Sequence, residues 1–301
     1  MYVKSNKLPW GDLAVFAAAA LWGCIGIFTR NLFAAGYTAI QIVAVRAVLT
    51  CLCVLCIILC KDRTLLRIRL RDLWMFFGTG ICSFLFFNIC YMSSIGENSL
   101  SVACILMYTS PFWVTALSAP LFKEKLTPRK LGALLICFVG CAMVCLSSSL
   151  RLTLPAGLIY GLLSGLGYAL YSIFGKYAAA KYNTLTVTFY TFLFASLGSI
   201  PICRPAALLP LLSDPLNLVL TVGVAVFCTI LPYLLYTYGL SKTTAGKAAV
   251  LAIVEPVFAA LVGWTVFGEA LGVSGILGIV AVAGGLMLLE SRKKQPTEKK
   301  P

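Results

Sequence analysis

Histidine is absent from this chain of 301 residues, and charged residues make up only 11% of it. Without histidine, the commonest general base and a frequent zinc ligand are both unavailable. With 60% apolar residues and a mean hydropathy of +0.96, the chain has too little polar surface to cover a water-soluble body of this size. The composition therefore predicts an integral membrane protein.

Acidic residues are scarce as well, with 10 Asp and Glu against 24 Lys and Arg and a formal net charge of +14. Such an excess is also found in nucleic-acid-binding proteins, but here the basic residues form short clusters between apolar runs, without interleaved stacking aromatics. The retention of Lys and Arg in cytoplasmic loops of membrane proteins explains the same charge. The predicted partners are the lipid bilayer and a small-molecule substrate, and no nucleic acid.

The sequence also lacks the motifs that support catalysis. No P-loop or soluble nucleotide-binding region is present, and no Ser or Cys stands near a base. Thirteen cysteines occur, some at spacings that would suit a metal, but they lie within apolar runs, where a thiol behaves as a small hydrophobe. We therefore predict no enzyme, no catalytic residue, no disulfide, no metal and no cofactor.

Ten apolar windows are separated by short polar or Pro/Gly-rich breaks and predict membrane helices. The fifth and seventh are short for a span, but both are needed for a consistent topology. Arg30 and Asn31 stand at the end of the first window in place of a cleavage site, which favours a retained helix. The predicted helices cover residues 13–32, 39–59, 73–94, 99–121, 131–146, 157–179, 185–202, 218–240, 246–267 and 273–289.

Loop charges predict the orientation, because positive residues stay on the cytoplasmic side. With the N-terminus inside, all but four of the 24 Lys and Arg fall in cytoplasmic segments. The exceptions are Arg30, Arg151 and Arg204 in outer segments and Arg46 within the second helix. The chain is thus predicted to be a multi-pass protein of the cell (inner or plasma) membrane with both termini cytoplasmic. Residues 291–301 are expected to form a basic disordered tail, and residues 205–215 a proline-rich loop.

An internal repeat becomes visible when the chain is shifted by 145 residues. The shift aligns Tyr91 with Tyr236, Pro111 with Pro256, Glu124 with Glu269 and Gly140 with Gly285. The predicted units are residues 1–150 and 151–290, with five helices each. Because five is odd, the second unit starts on the opposite side of the membrane and is inverted, an arrangement typical of alternating-access transporters.

Several motifs resemble those of a known family. They are Leu21-Trp22-Gly23 in the first helix and Glu255-Pro256-Val257-Phe258-Ala259-Ala260-Leu261, which leads to Gly268-Glu269. Together with the five-plus-five repeat, they resemble the drug/metabolite transporter superfamily, specifically EamA-type permeases, over residues 10–290. The first half departs from this pattern, with Ser110 in the place of Glu255 and Lys123 in the place of Gly268. The resemblance implies a bacterial inner-membrane carrier, often an exporter of amino acids or other small metabolites.

Two charged residues lie well inside predicted spans, away from the span ends, where charge is costly and usually functional. Glu255 is either a proton-coupling group, a ligand for a cationic substrate, or a structural acceptor near the helix break at Pro256. Arg46 either pairs with Glu255, binds a substrate carboxylate, or extends to the outer headgroups. The sequence leaves these alternatives open.

Aromatic and polar residues recur at helical spacing in the same windows. They line a central cavity or stand in the interfacial aromatic belts, and we interpret them as cavity candidates. Pro111 and Pro256 are candidate helix breaks or hinges, while Glu124 and Glu269 are expected to cap or tie loops on opposite faces. The cavity candidates are Trp22, Arg46, Asn88, Tyr91, Tyr108, Tyr168, Tyr171, Tyr233, Tyr236 and Glu255.

The sequence thus favours a secondary active transporter that exports a small organic metabolite, such as an amino acid, by alternating access. The alternatives are an uptake permease, an intramembrane enzyme or a channel. Proton coupling and a monomeric or homodimeric state are compatible with the same residues.

Overall fold

The fold is a bundle of helices, and the computed structural model describes residues 10–98, 100–145 and 155–290 of it. All regular elements in these ranges are helical. The predicted tail at 291–301 lies outside them. The membrane helices are α1 (Trp10–Ala34), α2 (Ala39–Lys61), α3 (Leu70–Glu97), α4 (Leu100–Phe122), α5 (Pro128–Cys145), α6 (Pro155–Ala179), α7 (Thr184–Ser199), α8 (Pro215–Lys242), α9 (Ala245–Phe267) and α10 (Val273–Glu290).

The predicted all-helical membrane fold is confirmed, with one difference in the count. Nine helices of the described chain have the length and hydropathy of a full span, whereas α7 has only 16 residues. At a rise of 1.5 Å per residue it covers about 24 Å, less than the hydrocarbon thickness of about 30 Å. It ends early because Pro201 cannot continue a helix. The segment predicted as a loop after it contains a short helix, Pro205–Leu212.

The two halves interlock rather than lie side by side. We call the membrane face at which α1 begins and α10 ends the near face, and the opposite one the far face. Each of α1, α2, α3 and α5 packs mainly against a helix of the other half, namely α8, α7, α6 and α10 in that order. These pairs map onto one another when the halves are exchanged, which is the pseudo-two-fold relation expected of an inverted repeat.

Close backbone contact joins α5 to α10. A Cβ atom on Gly140 would stand 2.7 Å from the carbonyl oxygen of Gly278, and one on Gly285 would stand 2.5 Å from Cys137 Sγ. Small residues let membrane helices approach to this distance without a hydrophobic driving force. The α5/α10 pair therefore fixes one side of the bundle.

Several helices are interrupted at equivalent depths in the two halves. The helix α4 consists of Leu100–Met107 and Ser110–Phe122, and α9 of Ala245–Ala252 and Glu255–Phe267. Pro111 and Pro256 are each the second residue of the second piece, where a proline needs no hydrogen bond from its nitrogen. The helices α3 and α8 each contain a π-helical stretch, Gly78–Leu85 and Val226–Ile230.

The ends of α4 and α9 share an unusual backbone geometry. Gly268 follows α9 with φ of 68° and ψ of 18°, and Lys123 follows α4 with φ of 54° and ψ of 34°. Both are left-handed helix caps, a conformation that glycine adopts freely and lysine does not. The position at which the first half departs from the family motif is therefore a strained one.

We expect Lys123→Gly to stabilise the protein by about 1 kcal/mol, because glycine removes the left-handed strain of a side chain at this position. The measurement is the thermal unfolding midpoint in detergent, which should rise by a few degrees. Lys125→Gly is the matched control, since Lys125 is exposed and its φ is not positive. An equal rise in both variants would assign the effect to lost charge instead of backbone geometry.

Candidate functional site

A cavity of about 490 Å³ lies between the two halves and extends toward the far face. At its far end it is lined by Arg30 and Phe33 of α1, Ile95 of α3, Leu100 of α4 and Phe267 of α9. This volume is sufficient for a small organic molecule.

The near end of the same cavity is closed by helix packing. There the second piece of α4 packs against the first piece of α9. Within the described residues, the reverse pair, the first piece of α4 and the second piece of α9, makes no comparable contact at the far face. The structure is thus open at one end only.

The structure brings the predicted cavity residues together. Eight of them line the cavity: Trp22, Arg46, Asn88, Tyr91, Tyr108, Tyr168, Tyr233 and Glu255. Tyr171 and Tyr236 instead line a small adjoining void of about 20 Å³, together with Trp22, Tyr168 and Tyr233. Asn88 donates to the carbonyl of Phe84, one turn earlier in α3, at 2.7 Å.

Arg46 is held by α8 at the π-helical stretch. Its Nε donates to Thr229 Oγ1 at 2.8 Å, and its Nη2 donates to the carbonyl of Cys228 at 3.3 Å. Because Pro232, four residues after Cys228, has no backbone N–H, the Cys228 carbonyl lacks its usual α-helical donor and is available for this contact. Arg46 is 7% exposed, so it does not extend to the headgroups. Its guanidinium also lies 5.9 Å from the centre of the Phe84 ring.

Glu255 is the acidic residue among those that line the cavity. Its Oε2 accepts a hydrogen bond from Tyr168 Oη at 3.1 Å, and the Tyr108 hydroxyl faces the same carboxylate. Among the described residues, no ion pair joins Glu255 to Arg46. The cavity therefore offers one cationic and one anionic group that are not neutralised by direct contact with each other.

Trp22 is the centre of an aromatic cluster in the cavity wall. Its ring centre lies 6.2 Å from that of Tyr168, 5.2 Å from that of Tyr233 and 5.3 Å from that of Tyr236. The next residue, Gly23, lets α1 approach the start of Glu255–Phe267, since a Cβ there would stand 2.6 Å from the carbonyl oxygen of Glu255. The Trp22-Gly23 pair thus combines an aromatic ring in the cavity wall with a close helix contact at the start of Glu255–Phe267.

Some residues of the site were not predicted from the sequence. Thr229 and Cys228, which hold Arg46, lie in an apolar window without a distinguishing pattern. Cys104 also lines the cavity, where it is a hydrogen-bond partner of the Tyr91 hydroxyl. At the mouth, Arg30 Nη1 and Glu269 Oε1 form an ion pair of 2.6 Å. The repeat, which aligns Glu269 with Glu124, could have pointed to Glu269. No signal in the sequence pointed to Arg30 as its partner.

The sequence profile of the EamA-like transporter family matches residues 9–146 and again residues 155–291. The chain belongs to the EamA-like transporter family. Two copies of the family unit therefore account for nearly the whole chain, and the suspected resemblance is confirmed. Members of such a family are multi-pass membrane proteins that carry solutes.

Relatives of this EamA-like transporter are also transporters by name. An uncharacterized transporter of Archaeoglobus fulgidus is 29% identical over 93% of this chain and 96% of its own length. The uncharacterized transporter YetK of Bacillus subtilis is 23% identical, covering 83% of this chain and 78% of its own. The pseudopaline exporter CntI of Pseudomonas aeruginosa is 26% identical over 68% of this chain and 71% of its own.

The fold also has a counterpart among solved structures. One crystal structure superimposes with a TM-score of 0.76, covering 93% of this EamA-like transporter and 96% of that chain. Because the two sequences are only 16% identical, the likeness concerns the fold alone.

Proposed function

We propose that this EamA-like transporter is a secondary carrier of the cell membrane that exports a small zwitterionic metabolite, such as an amino acid, by alternating access. The observation that carries the proposal is the presence of Arg46 and Glu255 in one cavity without an ion pair between them. An α-amino acid bears one carboxylate and one ammonium group, which match these two side chains. The aromatic wall suits an apolar side chain of moderate size.

Arg46 is proposed to bind the substrate carboxylate. A guanidinium presents its donors in a planar fork that fits a carboxylate, and its contacts with α8 fix its position before substrate arrives. Preorganisation of this kind reduces the entropy lost on binding.

Glu255 is proposed to bind either the substrate ammonium group or a proton, but not both. This competition would couple the two movements, because a carboxylate that carries a proton cannot hold an ammonium group as an ion pair. An inward proton gradient would then drive substrate outward by exchange. The name of the relative CntI, an exporter, supports this direction.

The interlocked halves support alternating access as the mechanism. Residues 1–150 and 151–290 are the two inverted units of this proposal. Because their helices pack mainly in pairs across the halves, the moving bodies are such pairs, α1 with α8 and α3 with α6, while α4 and α9 bend at the breaks marked by Pro111 and Pro256. The charge of the loops supports cytoplasmic termini, so that the far face is the outer one. A single chain of this design holds a complete cavity, which supports a functional monomer.

Flux in proteoliposomes tests this function. A panel of amino acids should include, for each, the matching amine without the carboxylate and the matching acid without the amino group. We expect saturable counterflow of one group of amino acids, much slower flux of both truncated analogues, and faster exchange under an imposed pH gradient. Linear, non-saturating flux would contradict alternating access and favour a channel, whereas exchange that ignores the pH gradient would contradict proton coupling.

A further inference from the structure

A carboxylate joins the two halves at the closed near end of the cavity. Glu124, just after α4, accepts the backbone N–H of Ala245 at 2.8 Å through Oε1 and that of Gly246 at 3.2 Å through Oε2. These residues begin α9, so their N–H groups have no partner within the helix. Lys130 Nζ lies 3.0 Å from the same carboxylate, whose side chain is only 8% exposed. Glu124 thereby fastens the end of α4 to the start of α9.

The repeat supplies a second carboxylate for the far end. Glu269 is the counterpart of Glu124, and each directly follows a residue in the left-handed cap conformation. The same shift of 145 residues maps Ala245 and Gly246 onto Leu100 and Ser101, which begin α4 at the far face. In this structure Glu269 instead pairs with Arg30, and both side chains are 52% exposed.

We propose that Glu124 and Glu269 are alternating latches, so that closing of the far end places Glu269 on the backbone amide of Leu100 at the start of α4 while Glu124 releases α9. The inference rests on alternating access as the proposed function. An exposed ion pair is weak, so Glu269 can leave Arg30 readily. Each closed end then gains charge-assisted hydrogen bonds to the N-terminus of a helix, while Lys130, whose counterpart in the repeat is Gly275, adds an ion pair at the near end only.

Hydrogen–deuterium exchange read by mass spectrometry tests the latches in the full-length protein in detergent. In Glu124→Gln, we expect the amides of Ala245 and Gly246 to exchange at least tenfold faster. Because the far-closed state then becomes populated, the amide of Leu100 should exchange at least threefold more slowly. That slowing should disappear in the double variant with Glu269→Gln, which removes the second latch.

Arg30→Gln is the matched control, because it frees Glu269 without removing it. It should slow exchange at Leu100, opposite in direction to Glu269→Gln. Unchanged exchange there in Glu124→Gln, or slowing that survives in the double variant, would overturn the latches. Saturable counterflow of the wild-type protein alongside such a result would leave the transporter function intact, whereas linear wild-type flux would reject that function whatever the exchange shows.

Discussion

Replacing Arg46 by glutamine is expected to raise the half-saturating concentration of an amino-acid substrate about 100-fold in proteoliposome counterflow. Arg46 is buried, and the loss of one partner from a buried, hydrogen-bonded charge pair costs about 3 kcal/mol. At 1.4 kcal/mol for each factor of ten, this corresponds to about 100-fold. Arg46→Lys should recover only part of the loss, since an ammonium group lacks the planar fork of the guanidinium.

The substrate analogues separate recognition from a structural role for Arg46. The matching amine has no carboxylate, so its weak transport should be unchanged in Arg46→Gln. Thr229→Val provides a second control, because it removes a bond that holds Arg46 at 2.8 Å but leaves the guanidinium in place, and it should cost less. If the amine and the amino acid lose transport equally in Arg46→Gln, the residue serves the fold and not the ligand.

The sequence predicts most of the residues that meet in the cavity, for a physical reason. Polar and charged side chains in an apolar span must face protein or water, so Arg46, Asn88 and Glu255 have few other places to lie. The repeat then links aromatic positions in the two halves, such as Tyr91 and Tyr236. The sequence does not distinguish residues that line the large cavity from those that line the small adjoining void. Tyr171 and Tyr236 line the void, but they share helix faces with residues that line the cavity.

Other features could not be predicted from local patterns. The π-helical stretch Val226–Ile230, which carries the Cys228 carbonyl that accepts from Arg46, has no recognised sequence signal. The end that is open could not be predicted either, because both halves carry a proline break and a following glutamate. In the structure, Glu124 is engaged with the start of α9 and Glu269 is paired with Arg30.

Lys123 illustrates how the sequence and the structure complement each other. The sequence marks it only as a departure from the motif that Gly268 fulfils. The structure explains the difference, since both positions have a positive φ and the departure exchanges glycine for a strained residue. The departure at Ser110 is different in kind, because it removes a carboxylate and leaves Glu255 without a charged counterpart in the first half.

Replacing Glu255 by glutamine is expected to abolish acceleration by a pH gradient and to raise the half-saturating concentration of amino acids about 100-fold. Glutamine has nearly the same volume and keeps an acceptor for the Tyr168 hydroxyl, so the change is confined to the charge and to the capacity to bind a proton. Loss of a buried ionic partner costs about 3 kcal/mol, or about 100-fold in affinity. The measurement is counterflow with and without an imposed pH gradient.

Competition between a proton and the substrate ammonium group for Glu255 also predicts how exchange depends on pH. In the wild-type protein, lowering the pH on both sides should slow amino-acid exchange, because protons then occupy the site that the ammonium group needs. In Glu255→Gln this pH dependence should vanish, while Tyr168→Phe, which removes one hydrogen bond but keeps the carboxylate, should retain it. If Glu255→Gln keeps gradient-driven flux, the carboxylate is structural, its role is to support the break before Pro256, and proton coupling must lie elsewhere in the chain.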